Sequence, residues 1–186
     1  MIDVNELRKG VTFTMDGELY RVLNYEHHKP GRGSATIRVT VRNLRSGATT
    51  IETFISGDRV QDIRVETSTV QYLYSDEEFA YFMDVETYEQ PLLRKDVFGE
   101  DFVYLTPNLE MKLKSYEGEI IDYELPLNVE QEIVEAEMAV AGNTATGAQK
   151  KVITETGLQV SVPLFVERGD VIKVDTRNGE YITRIN

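Results

Sequence analysis

Cysteine is absent from this 186-residue chain, and histidine occurs only twice, as His27 and His28. Without thiols there is no disulfide framework, no cysteine nucleophile and no thiolate metal site. Two adjacent residues on a strand point to opposite faces and do not readily grip one ion, so no metal is expected. No apolar run approaches the roughly 18–20 residues of a spanning helix, and the opening MIDVNELRKG lacks the apolar core of a secretory signal. A cytoplasmic protein with no membrane partner is therefore expected. No Gly-x-Ser-x-Gly elbow or Walker-type phosphate loop occurs. The expectation is a protein that is not an enzyme, with no catalytic residue and no cofactor.

Charge is unevenly distributed. The formal net charge is −12, from 20 Lys and Arg against 32 Asp and Glu. Residues 1–64 carry +2, residues 65–126 carry −11 and residues 127–186 carry −3. The middle third repels phosphate backbones, so contacts to nucleic acid are assigned to the first third and to selected positions of the last.

Strand periodicity dominates. Ile37, Val39 and Val41 alternate with Arg38, Thr40 and Arg42, which puts apolar side chains on one face and basic ones on the other. Val11–Met15, Asp16-Gly17 and Leu19–Leu23 read as a hairpin, and a second joins Leu19–His28 to Ala35–Leu44 through a glycine-containing reversal. Ser46-Gly47 leads into Thr50–Ile55. In the middle third, Val70–Tyr74 and Phe79–Met83 flank the polar turn Ser75–Glu78, with Tyr72 and Tyr74 expected opposite Tyr81 and Met83. Leu109, Met111 and Leu113 alternate before Glu117-Gly118-Glu119 turns the chain into Ile120–Leu125. Only Leu92–Phe98 looks weakly helical. The last third reads as Val129–Glu137, a small-residue loop at Ala139–Gly147, Leu158–Pro163, and a hairpin of Val171–Val174 and Tyr181–Ile185 around Asn178-Gly179, a dipeptide suited to a type I′ turn. The fold class is all-β: three small β-barrel domains, an SH3-like one over 1–64 and two more over 65–126 and 127–186.

The tip Lys29-Pro30-Gly31-Arg32-Gly33 stands out chemically. A guanidinium between two glycines at a hairpin end has reach with little steric bulk around it. Arg32 offers planar donors and a cation to an RNA pocket, while Lys29, Arg38 and Arg42 suit phosphates. The acidic run Asp76-Glu77-Glu78 lacks the spacing of a calcium loop and reads as a solvated turn.

Lys29-Pro30-Gly31-Arg32-Gly33 followed by Arg42-Asn43-Leu44-Arg45-Ser46-Gly47 resembles the first domain of bacterial elongation factor P. Gln71–Tyr74, Phe82-Met83-Asp84 and Tyr88-Glu89-Gln90 resemble its middle domain. Lys150, Val152, Gly157, Val160, Val162, Pro163, Val166 and Gly169 fall at the spacing of the family signature, and Val171–Arg177 with Gly179-Glu180-Tyr181 resembles its ending. The resemblance covers essentially the whole length.

It implies a KOW-like first domain and two OB-fold domains in an L-shaped, tRNA-like arrangement. It also implies a monomer that binds the 70S ribosome between the peptidyl and exit sites, touching ribosomal RNA, proteins near the exit site and peptidyl-tRNA. The implied activity is relief of stalling at consecutive prolines by positioning peptidyl-tRNA, the chemistry belonging to the ribosome. Arg32 falls on the tip that approaches the CCA end, supported by Lys29, Pro30, Gly31 and Gly33. Arginine there rules out the family's lysine modifications. In one branch the arginine is rhamnosylated, so an arginine-modifying enzyme joins the implied partners. Gly142-Asn143-Thr144 stands where members usually read Gly-Asp-Thr near the exit-site codon, the amide keeping an acceptor and adding donors while removing a charge. Lys151 stands where many members have proline. Tyr181 and Arg184 match C-terminal residues near the small subunit and tRNA anticodon stem. Two alternatives are an elongation factor P-like paralogue and a generic OB-fold RNA-binding protein, the latter expected to bind arbitrary RNA with steep salt dependence.

Overall fold

The computed structural model describes residues 1–138 and 147–185. Its strands form three barrel-like sheets, as the alternating pattern requires. The first contains β1 (Ile2–Asp3), β2 (Thr12–Met15), β3 (Glu18–His28), β4 (Thr36–Asn43), β5 (Thr49–Ile55) and β6 (Arg59–Asp62), in the order β1-β6-β2-β3-β4-β5. The second contains β7 (Glu66–Ser75), β8 (Phe79–Asp84), β9 (Leu92–Arg94), β10 (Glu110–Tyr116) and β11 (Glu119–Glu124), in the order β11-β10-β7-β8-β9. The third contains β12 (Asn128–Ala136), β13 (Gln149–Thr154), β14 (Gln159–Pro163), β15 (Val171–Asp175) and β16 (Tyr181–Ile185), in the order β14-β13-β12-β15-β16. In this last sheet the outer strands β14 and β16 approach each other.

By packing, the chain divides into two compact units: residues 1–67 with 114–122, and residues 68–113 with 123–186. In the first, Val4, Leu7, Phe13, Val22, Ile37, Val39, Val41 and Val60 are buried together. Phe13 stacks on Tyr20 at 5.7 Å and meets Phe54 edge-on at 6.5 Å. The other unit holds a valine-rich core that includes Ile133, Val152, Val162, Val166, Ile172 and Val174. It also holds an aromatic run in which Phe82 meets Tyr72 and Phe98, and Phe98 meets Phe102 and Tyr123.

Turn chemistry follows the glycines, with one correction. Asp16 and Gly17 have φ of 51° and 80°, and Glu117 and Gly118 have 51° and 81°, the paired positive values of a type I′ reversal. Asn178 is not left-handed; Gly179 alone is, at φ 74°. The last hairpin therefore does not use the expected type I′ turn. A longer loop spans Thr176–Gly179, in which Gly179 N–H donates to the Asp175 carbonyl at 2.8 Å and Asp175 N–H to the Glu180 carbonyl at 2.9 Å. The ladder beside it shifts register between Lys173 and Val174, which absorbs the extra residue.

Three other expectations change. Tyr74 does lie opposite Tyr81, stacked at 4.7 Å, but a bulge between Tyr72 and Tyr74 puts Tyr72 opposite Phe82 and Gln71 opposite Met83. The segment Leu92–Phe98 splits. Leu92–Arg94 pairs with β8, and only Lys95–Phe98 is helical, running into a 3₁₀ turn over Gly99–Tyr104. Finally, Gln149–Thr154 is a full strand hidden from a pattern reading by its polar start, Gln149-Lys150-Lys151. The expected loop Ala139–Gly147 lies, apart from Gly147, outside the described residues.

Candidate nucleic-acid interface

β3 is 11 residues long and β4 is 8, and they pair from Tyr20↔Asn43 to His28↔Thr36. The buried positions of β4, Ile37, Val39 and Val41, lie in the core, so Arg38 and Arg42 take the other face. Toward its end β3 leaves the core: Glu26, His27 and His28 are exposed, and so is every residue from Lys29 to Ser34. The result is a two-stranded arm ending in the Lys29–Gly33 tip.

Arg32 stands at that tip without a hydrogen bond or ion pair to any described residue. Gly33 adopts φ 107°, a conformation that side-chain-bearing residues rarely take. Neither Gly31 nor Gly33 has a heavy atom within 4 Å of where a Cβ would stand, so the guanidinium and its five donors are free to meet an acceptor from several sides. Lys29 is exposed beside it. Arg42 and Arg21 face each other across the ladder, and Arg38 faces Glu26. His27 and His28 pair with Ile37 and Thr36, and no group of potential metal ligands occurs among the described residues.

The acidic turn has an internal role. Asp76 accepts the backbone N–H groups of Glu78 and Phe79 at 2.8 and 2.7 Å and the Tyr81 hydroxyl at 2.7 Å. These donors, that of Phe79 foremost, hold its carboxyl below the ordinary carboxylate range.

The two C-terminal candidates sit on β16. Tyr181 pairs with Val174 and packs on the valine-rich core. The Arg184 guanidinium lies over the Phe165 ring at 5.0 Å, donates to the Phe165 carbonyl at 3.3 Å and reaches Asp170 at 3.4 Å. Arg184 thus ties the loop after β14 to the edge strand. Phe165 was not singled out by the sequence reading, and its exposure beside Arg184 had no signal in local periodicity. Gly142, Asn143 and Thr144 lie outside the described residues.

Sequence reasoning also missed the pairing of Arg21 with Asp122, whose carboxylate accepts from the guanidinium across 101 positions. Nothing in the spacing announces such a partner. Among the described residues no helix is long and apolar enough to cross a membrane.

Three family models match in tandem: the elongation factor P KOW-like domain over residues 3–60, the elongation factor P OB domain over 65–123, and the elongation factor P C-terminal domain over 129–184. A protein named elongation factor P from Moorella thermoacetica is 46% identical over 184 residues, covering 99% of this chain and 100% of that one. Another of the same name from Herpetosiphon aurantiacus is 45% identical over 185 residues, covering 100% of both. Among solved structures, eukaryotic translation initiation factor 5A from Methanococcus jannaschii superposes with a TM-score of 0.50 at 21% identity, covering 67% of this chain and 93% of that one, a likeness of fold. On these matches, spread over its full length, the chain belongs to the elongation factor P family of translation elongation factors.

Proposed function

We propose that this elongation factor binds the 70S ribosome between the peptidyl and exit tRNA sites as a monomer and relieves stalling at consecutive prolines. Three domains, 1–64, 65–126 and 127–186, divide the work. The first brings Arg32 to the CCA end of peptidyl-tRNA, with Lys29, Pro30, Gly31 and Gly33 shaping the tip. The observation that carries this reading is the placement of Arg32: a guanidinium between two glycines, unpartnered among the described residues, at the end of an arm whose strands are anchored in a packed barrel. Arg38 and Arg42 add phosphate contacts along the arm. In the last domain, Gly142-Asn143-Thr144 addresses the exit-site codon, and Tyr181 and Arg184 address the small subunit or the tRNA anticodon stem.

The mechanism is positional. Proline's ring restricts both the attacking amine and the nascent chain, so the reactants seldom reach attack geometry. Holding the CCA end limits its wandering and raises the fraction of time in that geometry, an entropic gain of the kind seen in intramolecular reactions. No group of this chain takes or gives a proton, and the factor is not an enzyme. An arginine-modifying enzyme acting on Arg32 extends the tip's reach. The test is synthesis of a reporter with three consecutive prolines in a reconstituted translation system, using protein made in a host lacking arginine-modifying enzymes. Rescue that disappears in Arg32→Ala supports the reading, and undiminished rescue by a folded Arg32→Ala protein overturns the tip assignment.

A further inference from the structure

Asp122 is 6% exposed and is the one buried charged residue among the described residues. A carboxylate taken out of water persists only with a close counter-charge. Its counter-charge is Arg21, on the strand that carries the tip. Arg21 itself faces Arg42 directly across the β3–β4 ladder. Like charges in direct register repel, and the Asp122 carboxylate offsets that repulsion. A second pair, Arg45 with Glu119 at 3.3 Å, joins the first sheet to the same short segment, and Arg45 also donates to the Gly17 carbonyl at 3.0 Å. Both members of that outer pair are well exposed, so it contributes little to holding the segment in place. The buried pair is the one that constrains. All of these residues belong to a single compact unit, formed by residues 1–67 and 114–122.

The location of the pair matters more than its strength. Arg21 lies near the base of β3, and the paired strand continues to His28, just short of the tip. At about 3.3 Å per residue, the stretch from Arg21 to Arg32 spans up to about 35 Å. A few degrees of play at the base therefore becomes several ångströms at the guanidinium. An apolar contact at the base resists separation but tolerates sliding, because the hydrophobic effect is non-directional. A guanidinium–carboxylate pair has a preferred direction.

We infer that Arg21 and Asp122 are positioning residues, whose ion pair sets the direction of the arm that carries Arg32. The inference rests on the reading of Arg32 as the contact to the CCA end, and its test separates the two. The absence of cysteine permits clean spin labelling of the full chain at two exposed positions of that same compact unit, Ser34→Cys beside the tip and Lys9→Cys at the base of β3, with the distance distribution read by pulsed electron paramagnetic resonance. The second readout is the rate of the three-proline reporter at saturating factor. Asp122→Asn is expected to broaden the distribution and to lower the saturated rate about tenfold. The charge swap Arg21→Asp with Asp122→Arg is expected to restore a narrow distribution and much of the rate. Arg32→Ala loses rate with the distribution still narrow.

A folded Asp122→Asn protein with an unchanged distribution overturns the inference. So does a charge swap that recovers the thermal midpoint while the distribution stays broad, since the pair would then act on stability alone. Should Asp122→Asn fail to fold, the swap decides by the same two outcomes. Should the unaltered protein fail to rescue, the reading of Arg32 falls, and the distance distributions still decide whether the pair directs the arm.

Discussion

The Gln131 side-chain amide donates to the Val103 carbonyl at 2.7 Å, joining the 3₁₀ turn Gly99–Tyr104 to the middle of β12. Gln131 is fully buried, and its oxygen accepts from the Thr154 hydroxyl at 2.6 Å, while the Thr156 hydroxyl donates to the Val103 carbonyl at 2.6 Å and lies 3.0 Å from the same Gln131 oxygen. Every buried side-chain polar atom among the described residues has a partner. A satisfied buried network specifies one arrangement, because any shift strands a donor or acceptor away from water.

Gln131→Leu is accordingly expected to destabilise the protein by about 1–3 kcal/mol, since it removes the acceptor of the buried Thr154 hydroxyl and one of the two donors to the Val103 carbonyl. Urea denaturation monitored by far-ultraviolet circular dichroism measures this. A loss below about 0.5 kcal/mol contradicts the role given to the network.

Gly179 and Gly17 offer a matched comparison. Both have positive φ, 74° and 80°, but a Cβ on Gly179 would stand 3.2 Å from the Tyr104 hydroxyl, whereas nothing lies within 4 Å at Gly17. Gly17→Ala is expected to cost about 1 kcal/mol from backbone strain alone. Gly179→Ala is expected to cost more, and adding Tyr104→Phe should return part of the difference.

Asp175 is held at a pKa of about 2, chiefly by the Arg177 side chain, which approaches at 2.6 Å, and then by the Arg177 backbone N–H. A carboxyl lowered in the folded state adds stability above its unfolded value near ~4, and that contribution is lost as pH falls toward about 2. The expectation is that Asp175→Asn flattens the dependence of stability on pH between about 4 and 2. Carboxyl carbon shifts followed by nuclear magnetic resonance report the titration directly, and a midpoint near the ordinary value contradicts the assignment.

Arg32→Ala is expected to leave the unfolding midpoint within about 0.5 kcal/mol of the parent, because the side chain is exposed and touches no core residue. Reporter synthesis through three prolines should fall sharply in the same preparation. Thermal unfolding and the translation assay, run side by side, separate a binding role from a structural one.

Strand content, the all-β class and most hairpins were legible because they rest on interactions a few residues long. Ile37, Val39 and Val41 alternate with polar residues, and a period of two leaves one way to bury them. Asp16-Gly17 and Glu117-Gly118 reverse the chain as their own backbone preferences dictate. The tip was legible for the same reason, since Lys29–Gly33 interrupts two strand patterns with residues that cannot extend either.

Tertiary structure decided what depends on distant partners. Asn178-Gly179 has the composition of a type I′ turn, yet the register shift beside it leaves Gly179 alone left-handed. Gln149–Thr154 becomes a strand because β12 and β14 flank it on both sides, which its own polar opening does not signal. Arg21 finds Asp122, Gln131 finds Val103 and Arg184 finds Phe165 across gaps that no local pattern spans. A buried polar group must be satisfied by whatever the fold brings within about 3 Å. Periodicity determines which residues are buried, and only the assembled barrels determine which of them meet.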